Sequence, residues 1–173
     1  MIRPEGAANA LNFVLFQAAW FICVLYPGLP AVVLALMFVM VHLIAISRNR
    51  WAEVQFIGLG TVLGGMLDSL WFRLGILDDG TGALQLTPPW LVAIWATFMT
   101  TFSHSLSWVT RKRLTLLLLP PVAGPLAYWS AAELGAIELP EPAWSIAALA
   151  TGWLVLFPLL TYLRKLLYPE LVR

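Results

Sequence analysis

Six runs of nearly unbroken apolar residues alternate with short polar turns along the chain, and each approaches the roughly 20 residues that a helix needs to cross a bilayer. They lie at about Asn9 to Tyr26, Ala31 to Ile46, Val54 to Ile76, Trp90 to Val109, Leu114 to Leu134 and Ala143 to Leu163. The pattern predicts an all-α fold, a bundle of six transmembrane helices forming one domain over residues 1–173. Tyr26-Pro27-Gly28-Leu29-Pro30 and Asp78-Asp79-Gly80-Thr81-Gly82 carry turn chemistry that no helix continues through, and a short extended piece is expected after the second at Leu84, Gln85 and Leu86. The fifth run is interrupted by Pro120-Pro121 and Gly124-Pro125, and the sixth is expected to bend near Pro158.

Composition agrees with this reading. Hydrophobic residues make up 61% of the chain and charged residues 11%, far below the roughly 25% of a soluble domain. The runs and their turns use up the length, leaving no room for a soluble domain. The apolar run near the N-terminus has no small-residue cleavage site after it and reads as a retained span. Cys23 is the single cysteine, which excludes an intrachain disulfide and a cysteine-based metal or cluster site. Basic residues occur only in short clusters beside apolar runs, so no nucleic-acid surface is present.

The net charge of +1 says little, but the distribution behind it says a great deal. With six spans, Arg3, Arg48, Arg50, Arg111, Lys112, Arg113, Arg164, Lys165 and Arg173 all fall on one side. The opposite loops carry Asp78, Asp79, Glu138 and Glu141 and neither lysine nor arginine. The positive-inside rule places the basic side, and with it both termini, in the cytoplasm. Trp51, Trp90, Trp108 and Trp144 lie near span ends, where interfacial tryptophans are common.

Shifting the chain on itself by about sixty residues gives a weak internal match of spans two and three with spans four and five. His42 then aligns with His104, Gly64 with Gly124, Leu74-Gly75 with Leu134-Gly135, Asp68 with Tyr128 and Arg73 with Glu133. A chance match of apolar helices is the competing explanation. A true repeat would relate two parallel hairpins about an axis along the membrane normal. It would make Arg73 and Glu133 a candidate ion pair and set His42 and His104 at one depth.

Ionisable groups within apolar runs are the candidates for chemistry, since a charge at mid-membrane costs about 2.5–3.5 kcal/mol on insertion scales and needs a partner or a wet cavity. Asp68 is the leading one, as an acid/base or cation-binding group; the plainer alternative is a hydrogen bond to Tyr128, Ser69 or a neighbouring span. His104 shares a polar helical face with Thr97, Thr100, Thr101, Ser107 and Trp108, and its imidazole is a natural proton carrier. The hydroxyls on that face are read as bonding carbonyls one turn back. Asp68 and His104 are therefore the expected catalytic or proton-exchanging pair. Asn12, His42, Trp71, Arg73, Tyr128, Trp129 and Glu133 are the expected substrate-binding set, Trp71 and Trp129 lining the pocket. Gly60 and Gly64 form a GxxxG ridge for close helix approach. His42 and His104 suffice only weakly for a b-type haem, and zinc wants three or four ligands, so neither a metal nor a cofactor is expected.

Asn12-Phe13 and Gln17, Gly65-Met66-Leu67-Asp68-Ser69-Leu70-Trp71, Trp95-Ala96-Thr97-Phe98, Ser103-His104-Ser105-Leu106 and Gly124-Pro125-Leu126-Ala127-Tyr128-Trp129 together resemble a family of small bacterial inner-membrane proteins classed only as a domain of unknown function. The resemblance spans nearly the whole chain. It implies a multi-pass protein of the bacterial inner membrane and carries no activity. The leading expectation is a protein that binds or handles a lipid-like hydrophobic molecule, with the bilayer as its surroundings. The alternatives are a transporter of a small solute or proton and a structural subunit without activity; whether the protein is an enzyme stays open.

Overall fold

The computed structural model describes residues 5–81 and 86–172. Arg3, Arg173 and most of the extended piece expected at Leu84 and Gln85 lie outside the described residues. Among the described residues the fold is all-helical: α1 Glu5–Leu25, α2 Leu29–Ala45, α3 Arg50–Arg73, α4 Pro89–Met99, α5 Arg113–Leu118, α6 Pro120–Glu133 and α7 Pro142–Leu167. Helices α1, α3, the run Arg113–Glu133 formed by α5 and α6, and α7 are long and apolar enough to cross a membrane. Helices α2 and α4 are apolar but shorter.

The helix starts follow local chemistry. Pro30, Pro89, Pro120 and Pro142 each sit in the first turn of a helix, where a missing N–H costs nothing. The prolines expected to break the fifth run therefore do less than expected: Pro120 divides α5 from α6, while Pro125 lies inside α6. Likewise α7 runs through Pro158 and on to Leu167, carrying Arg164 and Lys165 within the helix.

The fourth run departs most from expectation. Instead of a helix over 90–109, α4 stops at Met99, and turns lead to a short 3-10 segment at Ser107–Thr110. The Thr100 hydroxyl donates to the Thr97 carbonyl at 2.7 Å and the Thr101 hydroxyl to Phe98 at 2.6 Å, drawing the backbone into tight three-residue turns. The guanidinium of Arg164 on α7, itself buried, donates to the Phe102 carbonyl and to Thr110 Oγ1 at 2.9 Å. Carbonyls released by the broken helix thus find a charged donor within the protein, as an apolar setting demands.

Close packing depends on small residues. A side chain added at Gly60 or Gly64 would run into Met99 or Trp95 of α4, and one at Gly124 would run into Trp153 of α7. Of the tryptophans expected at the interface, Trp51, Trp108 and Trp144 are exposed, but Trp90 is buried in the core.

The two chain segments after α3 and α6 fold alike. Leu74 N–H bonds to Leu70 and Gly75 N–H to Phe72; Leu134 N–H bonds to Ser130 and Gly135 N–H to Ala132. Gly75 and Gly135 adopt φ of +66° and +80°, and Asp78 pairs antiparallel with Glu138 just beyond. Ser145 of α7 adds a 2.8 Å bond to the Ile76 carbonyl.

Candidate functional site

Two buried polar groupings and one large cavity mark the interior. The first grouping centres on Asp68, which is fully buried on α3. Trp95 Nε1 of α4 donates to its Oδ2 at 2.6 Å, and the Tyr128 hydroxyl of α6 donates to its Oδ1 at 2.6 Å. Each carboxylate oxygen therefore has its own donor from a different helix, and Asp68 ties α3 to both.

Trp95 and Tyr128 also face a cavity of about 640 Å³ bounded by α1, α4, α6 and α7. Its wall is aliphatic and aromatic, with Phe16, Trp20, Phe98 and Trp153 among the aromatic side chains and Trp95 and Trp153 stacked at 5.3 Å between ring centroids. Gln17, Ser130 and Tyr128 are among the residues that line it. Its lining runs from Leu134 and Ile137 at one end of the bundle to Leu106 and Val109 at the other. Phe21, Leu126 and Leu134 are part of this lining yet remain exposed, so the space opens sideways between α1 and α6.

The second grouping lies toward the basic end. Glu53, early in α3, is buried, and its Oε1 accepts from His42 Nε2 and from His104 Nε2, each at 2.8 Å. The two imidazole rings stand edge to face, 4.8 Å apart. Asn12 of α1 braces the pair. Its Nδ2 lies 3.1 Å from His42 Nδ1 and 2.9 Å from Thr100 Oγ1, while its Oδ1 accepts from the Ser105 hydroxyl at 2.6 Å and the Ser105 N–H at 3.2 Å. As the unwound chain beyond α4 supplies Thr100, His104 and Ser105, the break in that helix is what allows the grouping to form.

The expected site residues thus divide. Asp68 and Tyr128 meet, and so do Asn12, His42 and His104, but Asp68 and His104 belong to separate groupings. Arg73 and Glu133 do not form the expected pair: both are exposed at helix ends, and Glu133 accepts instead from Trp129 Nε1 at 2.9 Å. Trp71 packs beside Gly152 of α7 and Trp129 is exposed, so neither lines the cavity. As the side chains stand, the Glu53 carboxylate sits between the two histidines and accepts from both.

Sequence reasoning missed Glu53, Trp95 and Arg164. Glu53 did leave a signal, because it falls on the same helical face as Phe56, Gly60, Gly64 and Asp68, all buried.

The model of a family described as a protein of unknown function (DUF2878) matches residues 9–159. The chain belongs to this family. No curated protein and no solved structure matches it. The matched residues contain the whole of both polar groupings, and Arg164, which holds the chain after α4, lies just beyond them.

Proposed function

We propose that this family member binds a lipid-like molecule from within the bilayer, with the hydrocarbon chain in the cavity between α1, α4, α6 and α7. The observation that carries this reading is the cavity's shape together with its chemistry. Its volume falls within the roughly 300–1,000 Å³ of small-molecule sites, its wall is apolar and aromatic, and its extent along α6 from Pro120 to Leu134 is about 21 Å at 1.5 Å per residue. A sideways opening admits a molecule dissolved in the bilayer, and an elongated groove suits a chain. Tyr128, held by Asp68, is the polar anchor at the wall. In this reading the chain has six membrane spans, the basic end and both termini facing the cytoplasm of a bacterium, as the charge distribution favours.

The test is extraction of the full chain in native membrane particles, followed by lipid mass spectrometry. Ala127 lines the cavity, and Ala127→Trp narrows it from the α6 wall. A defined lipid or isoprenoid enriched with the wild-type chain and lost with Ala127→Trp is the expected result. The same bulk lipid from both overturns the proposal.

Transport of a small solute or proton is the second reading, favoured by the unwound continuation of α4, since transporters place sites at broken helices. The sideways opening weighs against it, because transport needs access from both faces. Uptake by sealed vesicles containing the purified chain would support transport over lipid binding.

A further inference from the structure

We propose that His42, Glu53 and His104 form a binding site for a divalent first-row metal ion, zinc being the best match to the donor set. Two imidazole nitrogens and one carboxylate oxygen are the ligands of a well-known class of catalytic zinc site, which keeps its fourth position for water or substrate. Here the three potential ligand atoms lie within 4.8 Å of one another on three buried side chains. They come from α2, from α3 and from the unwound chain after α4, so the fold, not one flexible segment, brings them together.

As the side chains stand, both Nε2 atoms point at Glu53 Oε1 from 2.8 Å. A metal with bonds of about 2.0–2.1 Å to nitrogen and oxygen needs the ligand atoms about 3.3 Å apart in a tetrahedral arrangement. Each Nε2–Oε1 pair must widen by about half an ångström, and the two Nε2 atoms, within 4.8 Å of each other, must draw in toward the same spacing. Each neutral imidazole keeps its single proton and moves it from Nε2 to Nδ1.

That tautomer change meets Asn12, whose Nδ2 faces His42 Nδ1 at 3.1 Å. Rotating the carboxamide by half a turn presents Oδ1 to the new Nδ1–H and Nδ2 to the Ser105 hydroxyl. The exchange gives up the 3.2 Å bond from the Ser105 N–H and the 2.9 Å bond from Nδ2 to Thr100 Oγ1, and it supplies the outer hydrogen bond that metal-bound histidines ordinarily have. Asn12 is therefore the positioning residue of the site, and the second carboxylate oxygen of Glu53 remains for the metal or for a bound water.

The experiment uses the purified full chain in detergent, treated with a chelator, desalted and titrated with Zn²⁺ and, separately, with Co²⁺ as a spectroscopic probe. Metal content is read by elemental mass spectrometry and the cobalt site by its visible absorption. One ion per folded chain is expected, with a cobalt band in the visible and loss of at least tenfold in affinity in His104→Gln and Glu53→Gln. The glutamine in His104→Gln keeps an N–H donor for Glu53 but ligates poorly, so this variant retains the local hydrogen bonding. Asp68→Asn, outside the site, is expected to bind metal as the wild type does. Failure of the folded wild-type chain to bind either ion overturns the proposal even if a variant fails to fold. Binding that persists in His104→Gln and Glu53→Gln also overturns it, placing the ion elsewhere on the chain.

Discussion

Asp68 and Tyr128, sixty residues apart, are joined by a 2.6 Å hydrogen bond from the tyrosine hydroxyl to the buried carboxyl group. Trp95 Nε1 donates to the other oxygen, so two side chains of the cavity wall are held by one residue behind it. Asp68→Asn keeps the shape but offers one acceptor oxygen; with Trp95 Nε1–H on it, the Tyr128 hydroxyl accepts from the NH₂ group and its own proton loses its buried partner. The expected loss is about 1–3 kcal/mol of stability, the usual penalty for an unsatisfied buried polar group. Tyr128→Phe removes one donor and leaves the other in place, so it should cost less than Asp68→Asn. Thermal unfolding of the three purified proteins in the same detergent checks the order; a Tyr128→Phe protein less stable than Asp68→Asn would contradict it.

Gly75 and Gly135 end α3 and α6 in the same left-handed conformation and sit sixty positions apart. A Cβ at either position meets nothing within 4 Å, so substitution by alanine is resisted by the backbone alone. Gly75→Ala and Gly135→Ala should each lower stability by about 1–2 kcal/mol, the cost of the left-handed region for a residue with a Cβ. The near-equality is the distinctive part of the prediction. Unequal losses, differing by more than about twofold, would mean that the two turns are not equivalent in their surroundings.

Arg164 holds the unwound chain after α4 through the Phe102 carbonyl and Thr110. Arg164→Met preserves much of the buried volume while removing both donors. Amide hydrogen exchange over 100–110 should then accelerate well before exchange in α3 or α6, because the backbone bonds of this segment are mostly three-residue turn bonds of poorer geometry than those of an α-helix. Arg164→Lys should not restore protection fully, since one ammonium replaces a fork that reaches two acceptors on different turns. Exchange in 100–110 unchanged by Arg164→Met would show that the segment holds itself.

Much of the helical layout was legible because apolar runs and proline-glycine turns act locally. The site was legible only in pieces. Asn12, His42, Asp68, His104 and Tyr128 stand out as polar residues deep within apolar runs, and all are buried. Arg73 and Glu133 stand at helix ends, where long side chains escape outward, so their alignment in the internal match implied a pairing that the geometry does not make. Glu53 and Arg164 lie beside basic turns and resemble ordinary interfacial charges; only tertiary contacts draw them inside. The end of α4 at Met99 has no local mark, as neither proline nor glycine occurs between Trp90 and Val109. It depends on threonine hydroxyls and on an arginine more than fifty residues away in the chain.

The two ends of the bundle differ in charge, and this gives a direct check on the proposed orientation. Cys23 is buried and is the only cysteine, so Cys23→Ala yields a chain free of thiols with little change in volume. Single cysteines are then introduced at Asn49, in the turn between α2 and α3, and at Asp79, in the turn after α3. If the basic end faces the cytoplasm, a membrane-impermeant maleimide applied to intact cells with a permeabilised outer membrane labels the cysteine at 79 and spares the one at 49. After lysis both are labelled. A cysteine at 141, before α7, should behave as the one at 79 does, because the paired segments at Asp78 and Glu138 place those two turns side by side. Labelling of 79 without 141 in intact cells would mean that only one of the two runs between them, the α4 run or Arg113–Glu133, crosses the membrane, and the six-span reading would fail with it.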